Sequence, residues 1–470
     1  MLRKNTFSAG AGLLLTVLLS MPVTSSAEDG TSKAAEPNTL RFESAYRKVL
    51  AYYPCLQSQE AKIEEAVASK FEAYAALLPK VQGVSSVTYG DDPVYVFGSL
   101  LRQKKFSSQN FELPELNHPD ARTNFNFAFR GEVPLFNAFQ TISRIRSSRY
   151  LEKSEREKKQ FMEMEAFLLG MEGYLHGLLT GENLKWTRQV LEAGLDDLKQ
   201  ADELKSKGMV LGADFYAAKV ILAGIKQTDY QTSADERVSR ILLNILMGEP
   251  AEADYALSGK IPEKPWQIKS LREWLEDAYR SRPDLTAFED KVNAQRVETS
   301  REQLSALPKI VGFGDVTEDT HDFRTGGANF LMGFRGSIDI LDAGYWARRK
   351  KAKAAYDAIR QDYQTLKDRV ATEVSQAVNG LEAILSNLPI AEEAFNDSLE
   401  AAKQTEILYR EGRKSIADLL EIRRAFLYAA FKRNELLFQA EMAYANLLFL
   451  SGKLNETAME EIAKRIDGAA

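Results

Sequence analysis

The stretches Asn124–Phe139, NFNFAFRGEVPLFNAF, and Asn329–Gly344, NFLMGFRGSIDILDAG, place Asn-Phe and Phe-Arg-Gly in the same register 205 residues apart. In the first, Phe125, Phe127 and Phe129 alternate with Asn124, Asn126, Ala128 and Arg130. In the second, Phe330, Met332, Phe334, Ile338 and Ile340 alternate with Asn329, Gly333, Arg335, Ser337 and Asp339. A period of two predicts strands that are aromatic on one face and polar on the other. The apolar face is core in a soluble sandwich, or faces lipid in a membrane barrel whose polar face meets water.

Further repeats surround these two. YPCL at Tyr53 and RPDL at Arg282, and then LPKV at Leu78 and LPKI at Leu307, are offset by 229 residues. Gly208 with Gly412, Ala213-Asp214 with Ala417-Asp418, and Gly248 with Gly452 are offset by 204. The pattern predicts two structural repeats, 41–248 and 273–452, joined by a segment 249–272 that contains Pro250, Pro262 and Pro265. Between LPK and FRG the first repeat carries 24 extra residues, which predicts an exposed loop over Gly90–Asp120.

No proline falls between Pro134 and Pro250, and the residues after Asn137 read as a helix of about 70 residues. In the second repeat Tyr356, Ile359, Tyr363, Leu366, Val370, Val374, Ala377, Leu381, Ile384 and Leu388 make a coiled-coil seam. A helix of that length reaches roughly 100 Å. Gly208 and Gly412 end the long helices, and return helices run to Gly248 and Gly452, giving antiparallel hairpins. A preceding helix is expected at about 42–78 and 271–307, and kinks or a widened ring are expected at Gly170, Gly173, Gly177 and Gly181 and at Pro389. Strands are expected near 81–97, 122–135, 309–316 and 328–341, as hairpins over about 81–136 and 309–341. Four strands per chain are too few for a barrel of one chain, so several chains must close it.

The N-terminus has Arg3 and Lys4 before the apolar run Ala11–Leu19, then Ser25-Ser26-Ala27: a signal peptide over 1–27, followed by a flexible segment 28–40. A tail, 453–470, follows the second repeat. The single cysteine, Cys55, excludes an internal disulfide framework and is expected as a buried, inert thiol. A net charge of −6 gives no sign of a nucleic-acid surface. His118, His176 and His321 have no ligand or triad spacing, and no phosphate loop or nucleophile motif occurs. No cofactor and no enzymatic activity are expected.

With these residues in view, the mature chain resembles the TolC family of outer-membrane efflux channels. The passages VPLFNAF and IDILDAG are similar to the family's strand-to-helix junction, and LYREGRKSIADLLEIRRAFLYAAFKRNELLFQAEMAYANLLFLSG, Leu408–Gly452, resembles its tyrosine, glycine and Asp-aliphatic-Leu signature. The resemblance implies an α+β membrane protein, a trimer in which a long antiparallel helical coiled-coil barrel is continuous with a β-barrel of four strands per chain. It implies an efflux or type I secretion duct in the bacterial outer membrane, extending into the periplasm and surrounded by outer-membrane lipid. Its helical end would dock a periplasmic adaptor that is attached to an inner-membrane pump.

Site residues follow from the same resemblance. Tyr409 and Lys414, facing Ala213 and Asp214, match a lock at the periplasmic entrance. Asp418, with Glu421 one turn on, matches a ring of pore carboxylates, where crowding raises pKa values. Lys207, Gly208, Gly412 and Arg413 lie at the tips that meet the adaptor. Helix capping is the competing role for Asp214 and Asp418. Arg130 and Arg335 either line the lumen or pair with acids such as Asp339. Arg144, Arg146 and Arg149, with Arg348, Arg349, Lys350, Lys351 and Lys353, either touch anionic groups or form a solvated helix face. A periplasmic coiled-coil adaptor or scaffold is the alternative function, and it would lack the aromatic-faced strands.

Overall fold

The computed structural model describes residues 39–468 except 265, 324 and 325. The expected signal peptide and residues 28–38 lie outside the described residues. The chain runs β1 (Thr39–Leu40), α1 (Phe42–Tyr52), α2 (Pro54–Ala75), β2 (Lys80–Gly90), α3 (Pro93–Arg102), a 3-10 turn (Ser108–Phe111), α4 (Leu113–Asn117), β3 (Arg122–Asn137), α5 (Gln140–Ser206) and α6 (Gly212–Met247). There follow β4 (Ala256–Leu257), α7 (Leu271–Ser281), α8 (Pro283–Leu304), β5 (Lys309–Thr320), β6 (Gly326–Ser337), α9 (Gly344–Arg410), α10 (Ile416–Leu450) and α11 (Glu456–Ile466).

The order of helix, helix, strand, strand, long helix and return helix thus occurs twice. The paired helices have 11 and 11, 22 and 22, 67 and 67, and 36 and 35 residues. The expected single helices at 42–78 and 271–307 are each divided, because Pro54 and Pro283 keep the residue before them out of helical backbone and restart the helix at its first position.

Both 67-residue helices continue through the expected kink positions. Three of the glycines of α5 are packed against other elements, and Gly181 has open space around it. A Cβ on Gly170 would meet Val49 at 3.4 Å, one on Gly173 would meet Leu246 at 3.1 Å, and one on Gly177 would meet Leu257 at 2.6 Å. Small residues here let α1, α6 and β4 approach the helix backbone. Pro389 sits inside α9 without ending it.

The sheet has the order β2-β3-β5-β6, all antiparallel, so β2 and β6 are its edges. The first strand ends at Gly90 and not near Phe97: Asp92 accepts from the Tyr95 amide and Pro93 starts α3, so Val94–Phe97 are helical. The last strand likewise stops at Ser337, before Ile338 and Ile340.

The core is a series of seams along the helices. At the junction of α1, α5, α6 and α11, the rings of Phe42, Tyr46, Phe167 and Tyr174 meet at 5.0–5.7 Å. Along α9, Val370, Val374, Leu381 and Leu388 are buried as the seam predicts, with Val378 beside the expected Ala377. Toward the hairpin ends, Ala201, Phe215, Ala218, Leu222, Ile416 and Leu420 join both hairpins. The connecting segment is strapped down where Trp266 Nε1 donates to Glu441 at 2.9 Å and Arg465 donates to the same carboxylate at 2.8 Å. Cys55 is exposed, contrary to expectation, because the buried side of α2 runs through Leu56, Gln59 and Ile63.

Candidate functional site

The residues singled out in the sequence fall in two regions: the ends of the helical hairpins and the polar face of the sheet. At the hairpin ends, Gly208 and Gly412 have φ of +75° and +72°. Gly208 N donates to Lys205 O and Met209 N to Leu204 O, and Gly412 N donates to Tyr409 O and Arg413 N to Leu408 O. This double bond pattern with a left-handed glycine is the Schellman close. It leaves Lys207, Gly208, Gly412 and Arg413 exposed at the tips, with Met209 and Leu211 exposed beside the first pair.

The expected gate residues are not brought together by bonds within one chain. Among the described residues no hydrogen bond or ion pair joins Asp214 to Tyr409 or Lys414. Tyr409 is half-buried against the seam at the hairpin ends, its hydroxyl without a partner, and burial followed by the Asp197 charge raises its pKa. Asp418 closes a capping box: the Ser415 amide donates to its carboxylate, and its own amide donates to Ser415 Oγ, both at 3.1 Å. Those bonds hold its pKa below the ordinary value, so the capping role is the one realised within the protomer. Glu421 pairs with Arg424 at 2.6 Å on the exposed side of α10.

Arg423, on the buried side of α10, bridges the two hairpins by charge. Its guanidinium pairs with Asp197 of α5 and reaches Glu406 of α9 at 3.4 Å. Burial pushes the Asp197 pKa up, with Arg423 opposing and Glu406 adding to the shift. One arginine thus holds a carboxylate from each hairpin. Lys414 is exposed at the hairpin end and has no ion pair among the described residues, whereas Arg423, farther along α10, pairs across the hairpins. A charged residue amid Leu419, Leu420, Phe426 and Leu427 was the available signal.

In the sheet, strand register puts Arg130 level with Gln82 and Asp315, and Arg335 level with Val311. Both arginines therefore share the face opposite Phe125, Phe127, Phe129, Phe330, Met332 and Phe334. Arg335 lies 4.0 Å from Glu132 and 5.1 Å over the Phe313 ring, so Glu132 takes the place expected of Asp339. Nearer the strand turns, Asn124 and Asn126 donate to Asp319 at 2.7 and 3.0 Å, while Gln103 donates to Asn124 at 2.7 Å.

Gln103 comes from the loop between β2 and β3. This insertion is not wholly exposed as expected: it folds over the polar face, where Asn329 donates to Arg102 O at 3.1 Å and a Cβ on Gly327 would lie 2.1 Å from that oxygen. The buried Asn-Asp-Gln cluster supplies the polar partners that anchor it.

Residues 274–453 match the family model of the outer membrane efflux protein. Solved structures share the fold across nearly the whole chain. The CmeC outer membrane channel of Campylobacter jejuni is 15% identical, with a TM-score of 0.73 over 96% of this chain and 98% of that one. The outer membrane protein VceC of Vibrio cholerae is 12% identical, with a TM-score of 0.71 over 87% and 96%. The MtrE outer membrane channel of Neisseria gonorrhoeae is 15% identical, with a TM-score of 0.70 over 88% and 90%. No curated protein matches the chain.

Proposed function

We propose that this protein is the passive exit duct of a tripartite efflux pump or type I secretion system, because residues 274–453 match the outer membrane efflux protein model and most of the chain shares the fold of solved outer membrane channels. The observation that carries this reading is the four-stranded sheet, whose exposed aromatic face backs onto a charged one and whose edge strands β2 and β6 have no further partner among the described residues. Three copies would close such edges into a barrel of about 12 strands. No described helix is long and apolar enough to cross a membrane.

The matched element lengths support reading the chain as one hairpin-and-helix unit used twice. Below the sheet, helices of 67 residues span roughly 100 Å, the reach of a tunnel into the periplasm. In this reading the tips at Lys207, Gly208, Gly412 and Arg413 meet a periplasmic adaptor linked to an inner-membrane pump. Asp214, Tyr409 and Lys414 face the entrance, Asp418 and Glu421 project into it, and Arg423 with Asp197 and Glu406 holds the hairpins of each protomer closed. Arg130 and Arg335 then line the lumen.

A periplasmic coiled-coil adaptor, the other reading of the long hairpins, is not favoured, because the sheet has no place in it. Fractionation of a diderm bacterium that expresses the full chain with its leader tests the proposal. The expected result is an outer-membrane trimer that resists detergent, and a soluble monomer would overturn it.

A further inference from the structure

Where the strands give way to the long helices, both repeats expose apolar side chains. Leu135, Phe139 and Ile142 do so in the first, and Ile338, Ile340, Leu341 and Trp346 in the second. Ile340 and Leu341 are 94% and 93% exposed, and Trp346 is 68% exposed. The cations just beyond them differ between the repeats. In α5, Arg144 pairs with Glu72 and Arg149 meets the Tyr74 hydroxyl, which leaves exposed Arg146 as the one without an ion pair or hydrogen bond among these three described residues. In α9, Arg348 is taken by Asp342, but Lys350, Lys351 and Lys353 have no ion pair among the described residues.

Trp346, Arg349, Lys350 and Lys353 fall at i, i+3, i+4 and i+7, which is one stripe along the first two turns of α9. Arg349 lies 5.8 Å from the Trp346 ring centroid. From Trp346 to Lys353 the helix rises about 10 Å, close to the depth of a headgroup layer and to one Debye length. An indole at the edge of an apolar band, with unpaired ammonium groups directly beneath it, matches the interface between acyl chains and phosphates.

We propose that this stripe binds anionic phospholipid headgroups of the leaflet on the periplasmic side, fixing how deeply the strands sit in the membrane. The inference rests on the outer-membrane reading above. Charge complementarity and continuity with the apolar face of the strands argue for lipid as the occupant.

The test uses the full mature protein in mixed vesicles of phosphatidylcholine and phosphatidylglycerol, with brominated acyl chains on one lipid or on the other, and reads tryptophan quenching. Trp346→Phe identifies the contribution of Trp346. Each lysine in the headgroup layer contributes about fivefold, so the expected preference for phosphatidylglycerol over phosphatidylcholine is fivefold or more. It falls toward unity in Lys350→Gln/Lys353→Gln and is retained in Lys350→Arg/Lys353→Arg.

Quenching of Trp346 that is equal in the two lipids, or unchanged in the glutamine variant, overturns the proposal. So does reversal by inorganic phosphate at matched ionic strength, which assigns the stripe to free phosphate. Loss of the oligomer in the glutamine variant, whichever lipid carries the bromine, assigns it to a neighbouring copy. Failure of the wild-type protein to co-float with vesicles removes the outer-membrane reading itself, whereas insertion with unselective quenching removes the lipid site alone.

Discussion

Replacing Arg423 by alanine removes the one side chain that holds Asp197 of the first hairpin and Glu406 of the second. The Asp197 pair is buried on both sides, and breaking such a pair by deleting one partner costs about 3–5 kcal/mol, since a carboxylate is left without its counter-charge. The Glu406 arm is more exposed and adds at most about 1 kcal/mol. A loss of 3 kcal/mol shifts the local closed-to-open equilibrium roughly 150-fold. Hydrogen exchange on the assembled protein should therefore accelerate in segments 190–206 and 405–425 while the equatorial helices stay protected, and single-channel conductance in planar bilayers should rise. Asp197→Asn added to Arg423→Ala removes the orphaned charge and should recover most of the exchange protection.

The pH dependence has a defined sign. Asp197 has a raised pKa in the folded chain, so between its ordinary value of 3.8 and the raised value the folded form binds more protons. The site therefore favours the closed form most at acid pH and contributes less as pH rises through the folded pKa. Loss of Arg423 pushes that pKa higher still, so the penalty of the variant should be larger at pH 7.5 than at pH 5. Unchanged exchange at the tips together with unchanged conductance would refute Arg423 as the clasp.

Two glycines with similar backbone angles should behave differently when changed to alanine. Gly412→Ala, with open space around it, costs about 1 kcal/mol from φ alone. Gly452→Ala adds a contact of 2.5 Å with the Ser281 backbone and should cost clearly more, read as a lower thermal midpoint of the oligomer. Ser415→Ala should remove about 1 kcal/mol from the first turn of α10. Because the Asp418 pKa is depressed, the wild-type advantage holds above about pH 4 and disappears as pH falls through the folded value, seen as exchange protection at Ile416–Leu419. Tyr409→Phe alone should leave conductance unchanged, since its hydroxyl has no partner in the protomer; an increase would place a bond there in the assembly.

What sequence reveals here follows from the range of each interaction. The hairpin ends were legible because a left-handed close needs glycine within a few residues of the stop, and Gly208, Gly248, Gly412 and Gly452 all adopt it. Strand faces were legible from alternation, which placed Phe127 and Arg130 on opposite sides. The end of β2 was misread because Val94, Val96 and Phe97 keep an apolar character that suits strand and helix alike, and the cap at Asp92 decided between them. What packs on Gly170, Gly173 and Gly177 was not legible, because Val49, Leu246 and Leu257 come from distant parts of the chain. Arg423 was missed for a similar reason: its partners lie 226 and 17 residues earlier in the chain, on helices rich in surface charge.

The open edges of the sheet bear on inheritance as well as on architecture. A subunit whose β2 edge is blocked, for instance by proline at Val84 opposite Ala128, would still fold its helical seams and enter assemblies beside normal subunits. If three chains share one ring, an equal mixture of the two alleles leaves about one ring in eight free of the altered copy. Loss of function would then be dominant in a cell that still makes half of its protein correctly.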